Sequence, residues 1–286
     1  MLTGGGPVVA CYRPNIAGLR YMTEQQSRLY LEQQGPIATI VINRPGQRNA
    51  ISYDMWLELK RLAGEIRASE EIRVVVIRGA GAEAFSAGAD ITEFDERRNN
   101  SSQARAYSEA FDGALDAVWE LDKPTISMIR GFCVGGGLEL ACCTDLRIAA
   151  EGSRFGIPTA RLGVLVGYRE MRRLLQLVGP GGAAEILLSA RILSGEEALR
   201  IGLITRLVPA DRLETEVYRA AQDIAEMAPL IHRWHKQIIR TVLLNPKLEG
   251  LTSEQEALPF ACFDTEDFQE GKRAFLEKRK PNFRGR

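Results

Sequence analysis

Three glycines, Gly135, Gly136 and Gly137, stand just ahead of a carboxylate, Glu139, whose other neighbours are Leu138, Leu140, Ala141, Cys142 and Cys143. An ionised carboxylate in apolar company is costly unless it is paired. Glu139 therefore faces water, caps its own helix, or is kept for proton transfer. Apolar neighbours raise a carboxyl pKa while a helix N-terminus lowers it, and an acid that titrates near neutrality can both take and return a proton. Glycines let the backbone approach a ligand with no Cβ in the way, and the amides at a helix start have no partner of their own. Such amides stabilise developing negative charge. The other use of three glycines is a tight turn with close packing.

A second loop of this type, "GAGAEAFSAGAD", spans residues 79–90. Gly79, Gly81 and Ala84 fit the G-x-G-x-x-G/A of a dinucleotide-binding turn, with Glu93 or Asp95 as ribose acid. That reading fails because the loop runs on instead of opening a helix, and the acids come too early. No Lys-Ser or Lys-Thr follows the glycines, so a P-loop is excluded as well. Two glycine-rich loops that each follow a strand predict one shared site at the carboxyl ends of those strands.

The elements carrying these loops alternate in type. Residues 37–43 and 73–79 are short β-branched runs, and 52–69 between them has helical spacing of apolar residues. A second cycle follows, with an amphipathic helix at 104–120 and one apolar strand at 124–134. Strands at 146–150 and 204–209 flank a helix at about 169–187, and "SGEEALRIG" opens on a serine cap with acids in its first turn and closes on glycine. Beyond Pro209 the pattern is helical nearly to the end. This rhythm predicts an α/β core at 22–205, with a helical region at 206–286 that must lie on something. Residues 1–21 have no periodicity and read as a loose extension.

Bulk properties narrow the function classes. Lys plus Arg and Asp plus Glu number 37 each in 286 residues, so no net charge steers the chain toward nucleic acid or an anionic membrane. No apolar run approaches the roughly 20 residues of a membrane span, and the opening lacks a basic start followed by an apolar block. A cytoplasmic location is expected. The five cysteines, Cys11, Cys133, Cys142, Cys143 and Cys262, are odd in number and without paired ligand spacing, which predicts reduced thiols. His232 and His235 lack a third ligand in view, so no metal is expected.

Six segments in order, "NRPGQRNAIS", "FSAGADI", "GFCVGGGLELACCTDLRIA", "FGIPTARLG", "EALRIGLITRLVP" and "EGKRAFLEKRKPNF", resemble the crotonase superfamily, the enoyl-CoA hydratase and isomerase group, from about residue 29 to 283. The resemblance implies an α/β fold, a spiral of repeated strand, strand, helix turns with a C-terminal helical trimerisation region. It implies homotrimers that often pair into hexamers, an acyl-CoA thioester as substrate, and no cofactor, coenzyme A being part of the substrate. By motif match the oxyanion hole falls on the backbone amides of Ala89 and Gly136, and Glu139 falls on one of two catalytic glutamates of related hydratases. Ala87, Gly88, Asp90, Ile91 and Gly135 border that hole. Arg48 is expected at the phosphate or adenine end of coenzyme A, with Phe275 and Lys278 approaching the nucleotide from a neighbouring subunit.

Two departures bear on the activity. The place of the second glutamate is held by Thr159, which cannot act as a general acid or base near pH 7, and "VGYRE" (166–170) replaces a glycine-rich loop. Losing one acid or base is worth roughly 100- to 10,000-fold. Isomerisation of a double bond needs Glu139 alone. Hydration needs Glu170, Asp90 or another group to reach the water. Decarboxylation of a malonyl-type thioester needs only the oxyanion hole, and Tyr168 is counted with the pocket although it is off the position that carries a tyrosine in such enzymes. A dehalogenase is excluded, since both histidines lie in the helical tail. A non-catalytic acyl-CoA-binding or RNA-binding protein is the alternative from another class; Glu139 argues against the first and the zero net charge against the second.

Overall fold

The computed structural model describes residues 27–286; the extension expected at 1–21, with Cys11, lies outside them. The described chain opens with a hairpin, β1 (Leu29–Gln34) antiparallel to β2 (Ile37–Ile42), and α1 (Tyr53–Ala68) follows. Three turns of one design come next. Each gives a strand to a first sheet, a shorter strand to a second sheet, and then helix. The first is β3 (Val74–Gly79), β4 (Ala84–Ser86), the short α2 (Phe94–Arg97) and α3 (Ser101–Trp119). The second is β5 (Thr125–Ile129), β6 (Phe132–Val134) and α4 (Gly136–Ala141). The third is β7 (Leu146–Ala150), β8 (Arg154–Gly156) and α5 (Tyr168–Leu188). Then β9 (Leu193–Ser194), α6 (Gly195–Arg200) and β10 (Arg206–Val208) complete sheets of order β1-β2-β3-β5-β7-β10 and β4-β6-β8-β9. Pairing is parallel except for the opening hairpin and β8 with β9.

Every residue of β2 and β5 is buried, as expected of strands covered on both faces. On one face Ile40, Ile42, Val75 and Ile77 join Leu59 and Ile66 of α1 and Leu115 and Val118 of α3 in one core cluster. On the other, Val74, Val76, Ile126 and Ile148 join Val217 and Ala221 of α7 (Leu213–Ala225). After α7 come α8 (Pro229–Leu244), α9 (Ser253–Ala257) and α10 (Glu266–Glu277). The buried Lys236 anchors α8, donating to the Lys123 carbonyl at 3.0 Å and pairing with Asp145.

Three expectations need correction. The single strand read at 124–134 is two strands in different sheets, because Gly131, at φ +65, turns the chain between them. Residues 84–86, read as loop, are β4, paired with β6. The boundary placed at 205 falls one residue before β10, which pairs with β7 through Arg206 and Ile148, so the helical region shares the first sheet. The serine cap did form: Ser194 accepts from the Glu197 amide, and Glu197 bonds back to the Ser194 amide. No described helix is long and apolar enough to cross a membrane.

Candidate active site

The loop after β4 is held by buried polar groups. Asn49 donates to the carbonyls of Ala80 (2.9 Å) and Ala84 (2.6 Å) and accepts from the Arg44 amide, while Ser86 Oγ donates to the Asn49 carbonyl at 2.8 Å. Beyond it, Ile51 and Ala89 form an isolated parallel bridge, in which the Ile51 amide donates to Gly88 and the Asp90 amide to Ile51. Alternation along that bridge turns the Ala89 N–H away from Ile51. It donates to no acceptor among the described residues.

The second loop arrives from β6. Gly135 takes φ +53 and ψ −131, a backbone state closed to other residues. The Gly136 N–H that follows likewise finds no acceptor among the described residues. A Cβ on Gly136 would lie 3.4 Å from the Ala89 nitrogen, and one on Gly88 would lie 3.0 Å from the Gly136 nitrogen. The two free amides therefore stand side by side. Trp56 and Phe111, edge to face at 4.8 Å, close the space beside Gly136, and Trp56 Nε1 is fixed by the Tyr107 hydroxyl at 2.9 Å.

Glu139 follows one turn into α4. It is 9% exposed, and its carboxyl has no hydrogen bond or ion pair among the described residues. Burial pushes it up to about 8; the carboxylates of Glu170 and Asp112 add to the rise, and Arg98 opposes it. The alternative of a residue turned to water is removed by its burial.

Glu170 is buried at the third residue of α5, where the Asp112 carboxyl of α3 acts on it. Burial raises both acids; Asp112 raises Glu170 further, whereas Asp112 itself is raised further by Asp116 and lowered by Arg169 and Glu170. Arg169 and Arg173 from the same helix turn instead to Asp116. Asp112 was invisible as a site residue from sequence. The available signal was a pair of acids four apart, Asp112 and Asp116, matched by arginines four apart, Arg169 and Arg173; it acquires meaning only when α3 and α5 are known to meet.

The remaining candidates divide. Ala87 donates its amide to Arg48, and Gly88 donates to Ser86 Oγ, so both shape the loop. Arg48 pairs with Glu83 at 2.6 Å and lies over the Phe132 ring. Thr159 is half-buried on a 3-10 turn, and Ile91 is exposed. Asp90 is corrected from a candidate for reaching water to a structural residue: it pairs with Arg44 at 2.7 Å and accepts from Thr92. Burial works upward on Asp90, but the bonds from Thr92 and Arg44 outweigh it and hold the carboxyl below its ordinary value. Tyr168 is also corrected. It is 97% exposed, because Glu170, two residues on and about 200° around α5, takes the inward position. Phe275 and Lys278 are exposed on and just after α10.

The match to known proteins decides the family. Residues 32–286 match the enoyl-CoA hydratase/isomerase family. This chain belongs to that family. It is 36% identical over 254 residues to the short-chain-enoyl-CoA hydratase of Clostridium acetobutylicum, covering 89% of this chain and 96% of the relative. It is 34% identical to the carnitinyl-CoA dehydratase of Salmonella enteritidis, covering 90% and 98%. Among solved structures, an enoyl-CoA hydratase/carnithine racemase from Magnetospirillum magneticum superposes with a TM-score of 0.88 at 41% identity, covering 91% and 97%. The fold is the crotonase fold, and the chain is an enzyme of this family acting in coenzyme A metabolism.

Proposed function

We propose that the chain binds an acyl-CoA thioester with its carbonyl oxygen against the Ala89 and Gly136 amides, and moves a proton with Glu139. As charge develops on that oxygen, two preorganised donors in an apolar pocket stabilise the enolate; losing one such donor typically costs roughly 3 kcal/mol. In isomerisation, ionised Glu139 takes the Cα proton of a 3-enoyl thioester and returns it to the γ carbon, shifting the double bond. The observation carrying this reading is the pairing of two acceptor-less amides with a buried, unpartnered acid. Gly135, Gly88, Ala87 and Ile91 border the thioester, and Arg48 stands toward the coenzyme A phosphates. Phe275 and Lys278 reach the nucleotide from a neighbouring subunit of a trimer, or of a hexamer of paired trimers. The working compartment is the cytoplasm.

The test is turnover of crotonyl-CoA, 3-hexenoyl-CoA and methylmalonyl-CoA by wild type and Glu139→Gln. Enoyl thioester turnover that falls roughly 100-fold or more in the variant is expected. Turnover of methylmalonyl-CoA alone, indifferent to the substitution, would make the chain a decarboxylase instead. Thioester binding with no turnover would make it a binding protein.

A further inference from the structure

Glu170 has no part in the reading above, yet it is buried and its Oε1 finds no donor among the described residues. Resting on that reading, we infer that Glu170 is the second proton-transfer residue of an enoyl thioester hydration, with Asp112 as the positioning residue that shares its proton.

Four observations support it. The site lacks an acid at Thr159, whose hydroxyl cannot fill the role. Phe111, the chain neighbour of Asp112, closes the space beside Gly136, so this part of α3 borders the site, and of the charged groups around Glu139 it is Glu170 that raises it most. The nearby cations do not neutralise Glu170: Arg169 and Arg173 Nη2 turn to Asp116, and although Arg173 keeps Nε and Nη1 without acceptors among the described residues and lowers Glu170, burial and Asp112 outweigh it. Finally, Arg169 and Arg173 on either side of Glu170 are held by Asp116, one turn from Asp112, which places Glu170 beside Asp112; Asp112 raises Glu170 while Glu170 lowers Asp112, as when a proton stays on Glu170 and is offered to Asp112. That proton is the one hydration must deliver. A buried oxygen left without a donor costs about 1–3 kcal/mol, a cost with no return in a purely structural pair.

The step balances. Ionised Glu139 takes a proton from water as the water oxygen bonds to Cβ. The C=C π pair moves toward the thioester, and the shared proton of Glu170 passes to Cα. One water has been added, Glu139 holds a proton, and the Glu170 pair lacks one; transfer from Glu139 to Glu170 restores the start.

The experiment compares hydration of crotonyl-CoA with isomerisation of 3-hexenoyl-CoA in wild type, Glu139→Gln, Glu170→Gln and Asp112→Asn. In Glu170→Gln, hydration kcat should fall roughly 100- to 10,000-fold, at least about tenfold more than isomerisation, with KM little changed. In Asp112→Asn the repulsion that raises Glu170 is removed, so Glu170 loses its proton at lower pH. The high-pH limb of hydration kcat/KM must then move to lower pH, a shift that loosened packing would not produce. The groups that face Glu170 and must stay in place are Arg169, Arg173, Asp116 and Glu139. If Glu170→Gln fails to fold, the pH limb of Asp112→Asn alone decides. Hydration within about tenfold of wild type in folded Glu170→Gln, or an unmoved limb in Asp112→Asn, overturns the inference. Wild type that isomerises but does not hydrate overturns it too, while leaving the proposed function intact. Enoyl turnover indifferent to Glu139→Gln overturns both.

Discussion

Glu139 sits where no stability argument would put it. Its carboxyl is ordinary at 4.5 when free and about 8 in the fold, so the folded state holds a proton that the unfolded chain releases. Below the unfolded value both states are protonated and the residue costs nothing. As pH rises from about 4.5 to 8 the unfolded chain gains by ionising and the fold does not, so stability drains away over that window and stays low above it. Glu139→Gln removes the titration. The variant should match wild type in denaturant midpoint near pH 4.5 and exceed it increasingly up to pH 8, by at most about 5 kcal/mol. Equal midpoints at both ends would mean the acid is solvated or paired. A residue that weakens its protein and is still buried among apolar side chains is one retained for chemistry, and this much could be read from "GGGLELACC". Asp112, which acts on Glu170, could not be. Nothing local marks that aspartate, whose meaning comes from α5 crossing α3 fifty-eight residues later.

At the scale of elements, the site is a contact between one short strand and one short helix. α4 lies directly on β4: a Cβ on Gly137 would come 2.6 Å from the Ser86 carbonyl oxygen and 2.7 Å from its Cβ. Gly137→Ala must push the helix off the strand and carry the Gly136 amide with it. Overpacking of this kind costs about 1–3 kcal/mol. Enoyl thioester turnover should fall about tenfold or more, since one misplaced donor is worth more than the packing alone. The same change at Gly64 in α1, where a Cβ meets nothing within 4 Å, should raise stability by about 0.5–1 kcal/mol. If both variants lose activity alike, the glycine at 137 has no positional meaning. The elements were legible where periodicity lasts, as in α1, α3 and β3. They were lost where it is short: β4 has three residues, and Gly131 divides a run of apolar residues that looks continuous on paper.

At the scale of the molecule, the apolar surface is uneven. The first sheet is covered on one face by α1 and α3 and on the other by α7. Past α8, however, Phe260, Phe263, Phe275 and Leu276 are each more than half exposed, all within one stretch of short helix and α10. Fully burying a side chain of this size is worth about 1.5–3 kcal/mol, and contiguous apolar patches on a water-soluble surface mark association sites. Chain packing alone gives no reason for them. The trimer proposed above would cover them and would bring Phe275 and Lys278 of one subunit toward the Arg48 end of the next site. Sedimentation of the wild type should then give three or six times the chain mass. Phe260→Asp with Phe263→Asp should lower that mass, and KM for an acyl-CoA should rise in step with dissociation while the sheet core, untouched by either position, stays folded. A wild type that sediments as a single chain with full activity would show that one copy completes its own site, and the nucleotide end would then have to be found among residues of the same subunit.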